Sequence, residues 1–213
     1  MPLIPGYGGK MELKDLADVA TIIGALAIIV VAIQAAIAFR QFKADHERSR
    51  REKAVDLLFE WSKALKKEWA IVRKIIETLT EEQCREVFAQ QKITIPEKQK
   101  KLLLHFFDEK VLEEKESGEA VLSEAQSSEL RWHAISYLNS LEAVLIAWQY
   151  SVVDRGMVES QFGYLFRPEQ GHSALKYFRV AAGGELSYPA TEIFSSHIER
   201  KRRELLQEKA NVA

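Results

Sequence analysis

Asn139 and Glu142, three residues apart in the segment YLNSLEAVLIAW, have the most chemically pointed spacing in the chain. On a helix they share one face beside an apolar stripe, where they either grip a ligand or bond Arg or Lys from another helix. We read them as the second, a partnered polar pair that fixes packing register. The five histidines, His46, His105, His133, His172 and His197, are scattered, and none has a His or Cys neighbour at i,i+3 or i,i+4. No metal site is expected from that spacing. GxSxG, GKS or GKT and GxGxxG are all absent from the sequence, and Gly183-Gly184, followed by Glu185, reads as a turn rather than a phosphate cradle. Arg200-Lys201-Arg202-Arg203 is bounded by Glu199 and Glu204. Consecutive residues of a helix point in different directions, so this run describes a solvated surface and not a specific nucleic-acid site. The sequence therefore identifies no catalytic residue, no cofactor and no small-molecule substrate, and a non-enzymatic role is expected.

A chain of 213 residues suffices for one ordinary domain plus an anchor. Thirty basic and 31 acidic residues leave a net charge of −1, so no global field collects nucleic acid. The single cysteine, Cys84, excludes an intramolecular disulfide and fits a reducing compartment.

The 21 residues between Asp18 and Arg40 carry no charge, and their only polar side chains are Thr21 and Gln34. As a helix the run spans roughly 31 Å, against about 30 Å of bilayer hydrocarbon. Eleven of the 21 are Val, Ile, Leu or Phe, each favouring insertion by about 0.3 to 0.6 kcal/mol. A buried helix of a soluble protein would show a polar stripe, and this one has none. Arg40, Lys43, Arg48, Arg50, Arg51 and Lys53 follow the span, whereas Lys10 and Lys14 precede it. That imbalance predicts a cytoplasmic C-terminal side, and it sets the same six cations against anionic lipid head groups. The expected organisation is a non-cytoplasmic segment over 1–18, a transmembrane helix over 19–39, a basic stalk over 40–53 and a cytoplasmic helical domain over 54–213.

A 4,3 alternation along the span gives Ala20, Gly24, Ala27, Val31, Gln34 and Ala38 on one stripe, most of them small. In lipid such a stripe permits close helix packing, and Gln34 can bond a neighbouring copy or its own backbone. Both readings stay open. Beyond the span the sequence predicts an all-α domain. An apolar stripe from Leu58 through Trp61, Leu65, Trp69, Val72 and Ile76 predicts a helix ending near Leu79. Thr80 to Gln83 forms a capping-box pattern for the next helix. Pro96 suits the first turn of a helix carrying Leu102 to Leu112, which leads into an exposed acidic connection around Gly118. The central helix is expected from the Ser123–Ser128 region to about Val153. Asp154 is expected to cap a helix from Met157 to about Phe166, and two more helices are expected over 173–181 and 190–207. The four tryptophans, Trp61, Trp69, Trp132 and Trp148, read as core or interface residues.

On Leu138, Asn139, Glu142, Asp154 and Gly156, within YLNSLEAVLIAWQYSVVDRGMVESQFGYLF, the chain resembles a family of uncharacterised bacterial single-pass membrane proteins. These share an N-terminal membrane helix, a basic juxtamembrane stretch and an LN-x-x-E-type helix before a Gly-containing turn. The resemblance implies the bacterial inner membrane and an association with stress or antiviral defence, and the charge imbalance around the span sets the N-terminus outside. The functional expectation is a membrane-anchored interaction module whose partners are the bilayer and either a second copy or another protein. The alternative is an oligomeric pore or membrane-disrupting effector.

Overall fold

The computed structural model describes residues 13–108, 112–115 and 118–212. These divide into two units, one ending at Ser49 and the other running from Arg50 onward. Most of the first unit is a single helix, α1 (Leu13–Ala64), whose C-terminal turns belong to the second. Nothing interrupts it, because no glycine or proline occurs between Gly24 and Pro96. From Ile22 to Phe42 its large apolar side chains are exposed, Ile28 by 72% and Phe39 by 70%. This one helix, among the described residues, is long and apolar enough to cross a membrane. Residues 1–12, including Lys10, and the side chains of Lys14 and Ala20 lie outside the described set.

The second unit is a helical domain: α2 (Lys67–Thr78), α3 (Glu81–Phe88), α4 (Glu97–Leu103), α5 (Glu124–Gln149), α6 (Arg155–Phe162), α7 (Lys176–Ala181) and α8 (Pro189–Val212). The core gathers on α5, where Leu130, Leu138, Leu141, Leu145 and Trp148 are buried at the heptad-like spacing visible in the sequence. Trp69, Val72, Ile75 and Ile76 of α2 and Phe194 of α8 join the same core, and the Trp148 and Phe194 rings meet edge to face at 4.8 Å. Each fully buried side chain of this size stabilises by about 1.5 to 3 kcal/mol relative to exposure. The tryptophans divide: Trp69 and Trp148 are buried and Trp61 is half-buried against Phe162, but Trp132 is exposed.

Three local features depart from the sequence reading. The helix expected to reach Leu79 stops at Ala64, and Lys66 is extended at φ −95°, ψ 146° before α2 begins. The helical periodicity of Leu58, Trp61, Leu65 and Trp69 continues across the break, so spacing alone does not reveal it. Second, a small antiparallel sheet of order β1-β3-β2 interrupts the helices: β1 (Ile93–Ile95), β2 (Glu113–Glu114) and β3 (Ala120–Leu122), with Ile93 opposite Leu122 and Glu113 opposite Val121. Third, α4 ends at Leu103, so Leu112 precedes a strand instead of finishing a helix. Gly118 at φ +80° turns the chain from β2 into β3, a left-handed conformation that glycine adopts without steric cost.

The caps follow the sequence more closely. Gln83 N donates to Thr80 Oγ1 at 3.2 Å and Thr80 N to Gln83 Oε1 at 3.0 Å, which closes the expected box. Ser123 and Gln126 form an equivalent box at the start of α5. Asp154 Oδ1 accepts Met157 N at 3.0 Å and so caps α6, which continues as a 3-10 turn over Gly163–Phe166.

Cys84 is wholly buried in α3, and burial, with a smaller contribution from Glu81, pushes its thiol pKa up to about 12. A thiol held so far above neutrality supplies almost no thiolate. In the folded chain at pH 8, Cys84 is expected to resist maleimide for hours, and to react within minutes once denaturant unfolds the domain. Mass spectrometry of the quenched reaction checks this, and rapid labelling without denaturant would contradict it.

Candidate functional site

The second unit holds three polar assemblies, buried or part-buried, each tying together elements distant in sequence. The first centres on Glu142, a buried carboxylate on α5. Its Oε1 accepts Ala190 N at 2.7 Å, and its Oε2 accepts Thr191 N at 2.9 Å and Thr191 Oγ1 at 2.6 Å. A helix start leaves backbone N–H groups without partners, and here a carboxylate from another helix satisfies two of them at the positive end of the α8 dipole. The expectation that Asn139 and Glu142 act as a pair, bonded to Arg or Lys, fails on both counts. Asn139 is exposed, and Glu142 accepts from an amide-rich helix start, where no cation is required.

The second assembly joins α5, α6 and α8. Glu159 Oε1 accepts Trp148 Nε1 at 3.1 Å, and His197 Nε2 stands 3.0 Å from the same oxygen. Lys201 Nζ donates to Glu159 Oε2 at 2.9 Å. Burial alone would raise the Glu159 carboxyl, but the bonds from Lys201 and Trp148 and the charges of His197 and Lys201 outweigh it and hold its pKa below the usual value. Lys201, and also Arg202 through Glu169, are thereby committed to ion pairs within the domain. That accounts for half of the late basic cluster without any external anion.

The third assembly lies between α2 and the segment before α7. Arg73 Nη1 donates to Glu77 Oε2 at 3.1 Å and stands 3.1 Å from His172 Nδ1. Glu77 Oε1 accepts Ser173 N at 3.1 Å and Leu175 N at 3.4 Å. The side chains of Arg73 and Glu77 are 10% and 3% exposed. The i,i+4 spacing of this pair can be seen in the sequence, but its burial and its meeting with His172, 99 residues away, have no local signal.

Of the remaining residues singled out by sequence, Gly24, Ala27, Val31, Gln34 and Ala38 are exposed on α1, and nothing comes within 4 Å of a Cβ placed on Gly24. Ala20 falls outside the described side chains. Arg40, Lys43, Arg48 and Lys53 are exposed. Arg50 and Arg51 do something the sequence did not suggest. Arg50 O accepts Asp154 N at 3.1 Å, and Arg51 Nε lies 3.5 Å from Asp154 Oδ2, so Asp154 fastens the last part of α1 to the start of α6. Gly156 sits in the first turn of α6, where a Cβ would lie 3.3 Å from Asp154 Oδ1. Among the described residues, no group of three or more His, Cys, Asp or Glu side chains is arranged to hold a metal ion. Family models, curated proteins and solved structures give no match to this chain.

Because the folded-state pKa of Glu159 lies below its ordinary 4.5, its contribution to stability is fully present above that value and fades as pH falls through the lowered one. Glu159→Gln is therefore expected to destabilise the chain by about 1 to 2 kcal/mol at pH 7. The deficit relative to wild type shrinks as the carboxylate protonates. Denaturant melts of both proteins across pH 7 to 3 test this, and a deficit independent of pH would contradict it.

Proposed function

We propose that this protein is a single-pass membrane protein whose helical domain faces the cytoplasm and acts as a non-enzymatic interaction module. The observation that carries the reading is the run of exposed apolar side chains on α1, Ile22 through Phe39, with no polar stripe. Water would leave that surface unpaid for by any burial, whereas hydrocarbon of matching thickness accommodates it. A helix also closes its own backbone hydrogen bonds, which any segment inside lipid must do.

Orientation is argued from charge. Arg40, Lys43, Arg48 and Lys53 stand exposed just past the run, with Arg50 and Arg51 behind them, so the larger cationic flank precedes the domain. In a bacterial chain this asymmetry favours the domain on the cytoplasmic side of the inner membrane, with the exposed cations at the level of anionic head groups. Self-association through Gly24, Ala27, Val31, Gln34 and Ala38 is the partner contact we favour, since small residues allow close backbone approach and Gln34 supplies a polar bond.

Three measurements test these statements. Ile28→Asp with Val30→Asp adds about 2.5 to 3.5 kcal/mol of insertion cost per residue at the centre of the span. The wild type is expected to float with membranes and resist alkaline carbonate, and the double variant to lose both properties. If the variant floated like wild type, α1 would not be the anchor. For orientation, Cys84 is silent, so Asp18→Cys and Glu208→Cys serve as single reporters in spheroplasts treated with an impermeant maleimide. Labelling at 18 and protection at 208 is expected, and the reverse pattern would invert the topology. Gln34→Leu with Gly24→Ile is expected to remove crosslinked oligomers in membranes, and unchanged oligomers would dismiss the stripe as an interface.

A further inference from the structure

Ile198 of α8 rests on α6, its Cδ1 3.5 Å from a Cβ placed on Gly163, and Lys201 and Arg202 pair with Glu159 and Glu169. Beyond them α8 loses its cover: every residue from Arg203 to Ala210 is exposed, Leu205 by 52% and Leu206 by 59%. Spacings of seven and eight place these leucines on the helix face that carries Ile198, the face that meets α6. On α6, Gly156, Ser160 and Gly163 follow at intervals of four and three and form one strip of small side chains. The strip and the α8 face together line an open groove of about 720 Å³, wholly within the unit that begins at Arg50. A Cβ on Gly156 would meet only Asp154 Oδ1 within 4 Å, and Ser160 is exposed, so the α6 wall of the groove is uncovered.

One surface thus holds both a knob, the two leucines, and a hole, the strip of small residues. A two-fold contact joins a patch to itself, so residue i of each copy meets residue j of the other. A patch that carries knob and hole together meets that condition with no second protein. Charge selects the same occupant and its direction. Arg200 and Arg203, the half of the basic run not held by Glu159 and Glu169, take no ion pair among the described residues, and neither do Glu204 and Glu208, which bracket the leucines. The four cations precede the leucines, and Lys209 is the one cation after them. A parallel approach of two α8 helices would stack cations on cations, whereas an antiparallel crossing at the leucines brings the basic run of each copy toward the carboxylates of the other. We propose that this groove is an interface between two copies of the chain, with α8 helices antiparallel and Leu205 and Leu206 of each copy seated over the Gly156, Ser160 and Gly163 strip of the other. Chains anchored in one bilayer meet at high effective concentration, so a contact of this size suffices. The inference rests on the reading of the domain as an interaction module and names its partner, but it does not draw on the α1 stripe.

The test uses full-length chains in membranes, where buried Cys84 does not interfere with single-cysteine reporters. A chain with Ser160→Cys and one tag is co-expressed with a chain carrying Leu206→Cys and a second tag, and membranes are treated with a short bis-maleimide. The product bearing both tags is expected to exceed the Ser160→Cys homodimer at least fivefold or so, roughly, because knob meets hole and hole does not meet hole. Leu205→Arg in both chains, at an exposed position that leaves the melting temperature unchanged, lowers the mixed product about tenfold. The mixed product is expected to persist with Gln34→Leu and Gly24→Ile, and its loss there would show that the membrane stripe, not the groove, holds the copies together. No mixed product while Gly24→Cys chains still crosslink would overturn the groove contact and leave the stripe standing. No product at either place would overturn self-association altogether. Equal yields of mixed and Ser160→Cys products, an undiminished yield with Leu205→Arg, or crosslinks from Leu206→Cys only to a different protein would each overturn the proposal as well.

Discussion

A carboxylate buried in the middle of α5 holds the first turn of α8, and much of the domain depends on that contact. Glu142 accepts three hydrogen bonds from Ala190 and Thr191, so removing it would leave two amides and a hydroxyl buried without acceptors. With the start of α8 fixed there, the helix has one register available. That register brings Phe194 onto Trp148, His197 and Lys201 onto Glu159, and Arg202 onto Glu169. The hydrophobic core supplies most of the stabilisation, but it does not choose among helix registers as sharply as a charge that must find its donors.

The helical character of the chain, its apolar N-terminal run and several helix starts were legible because they depend on local residue types. Thr80 and Asp154 cap as their positions suggest, since a cap needs only residues within one turn. The central helix was legible because Leu130, Leu138, Leu141 and Leu145 recur at the right interval and all meet the core. What failed to show was whatever depends on distance. The break at Lys66 is concealed by an apolar pattern that keeps its phase through the turn. The three strands are too short for period-two alternation to register, and Ile93-Thr94-Ile95 reads equally well as the tail of a loop.

The candidate sites show the same division. Glu142 stood out, but its partners did not, because α8 lies 48 residues further on. Arg73 and Glu77 are ordinary residues at an ordinary spacing until the fold assembles them with His172. Arg50 and Arg51 illustrate a subtler point. A cation counted toward a charge rule is also a side chain with a local geometry, and these two lie where Asp154 joins α1 to α6.

The small sheet also bears on how the protein behaves when crowded. A sheet of three strands has two open flanks, and open flanks recruit strands from other molecules. Here β2 is two residues long, β1 is three and ends against Pro96, which lacks a backbone donor, and Lys92 pairs with Glu113 at 2.8 Å. Brevity, a proline stop and charge at the margins make poor templates for cross-β growth. The domain can therefore be concentrated on a surface without that sheet seeding fibrils.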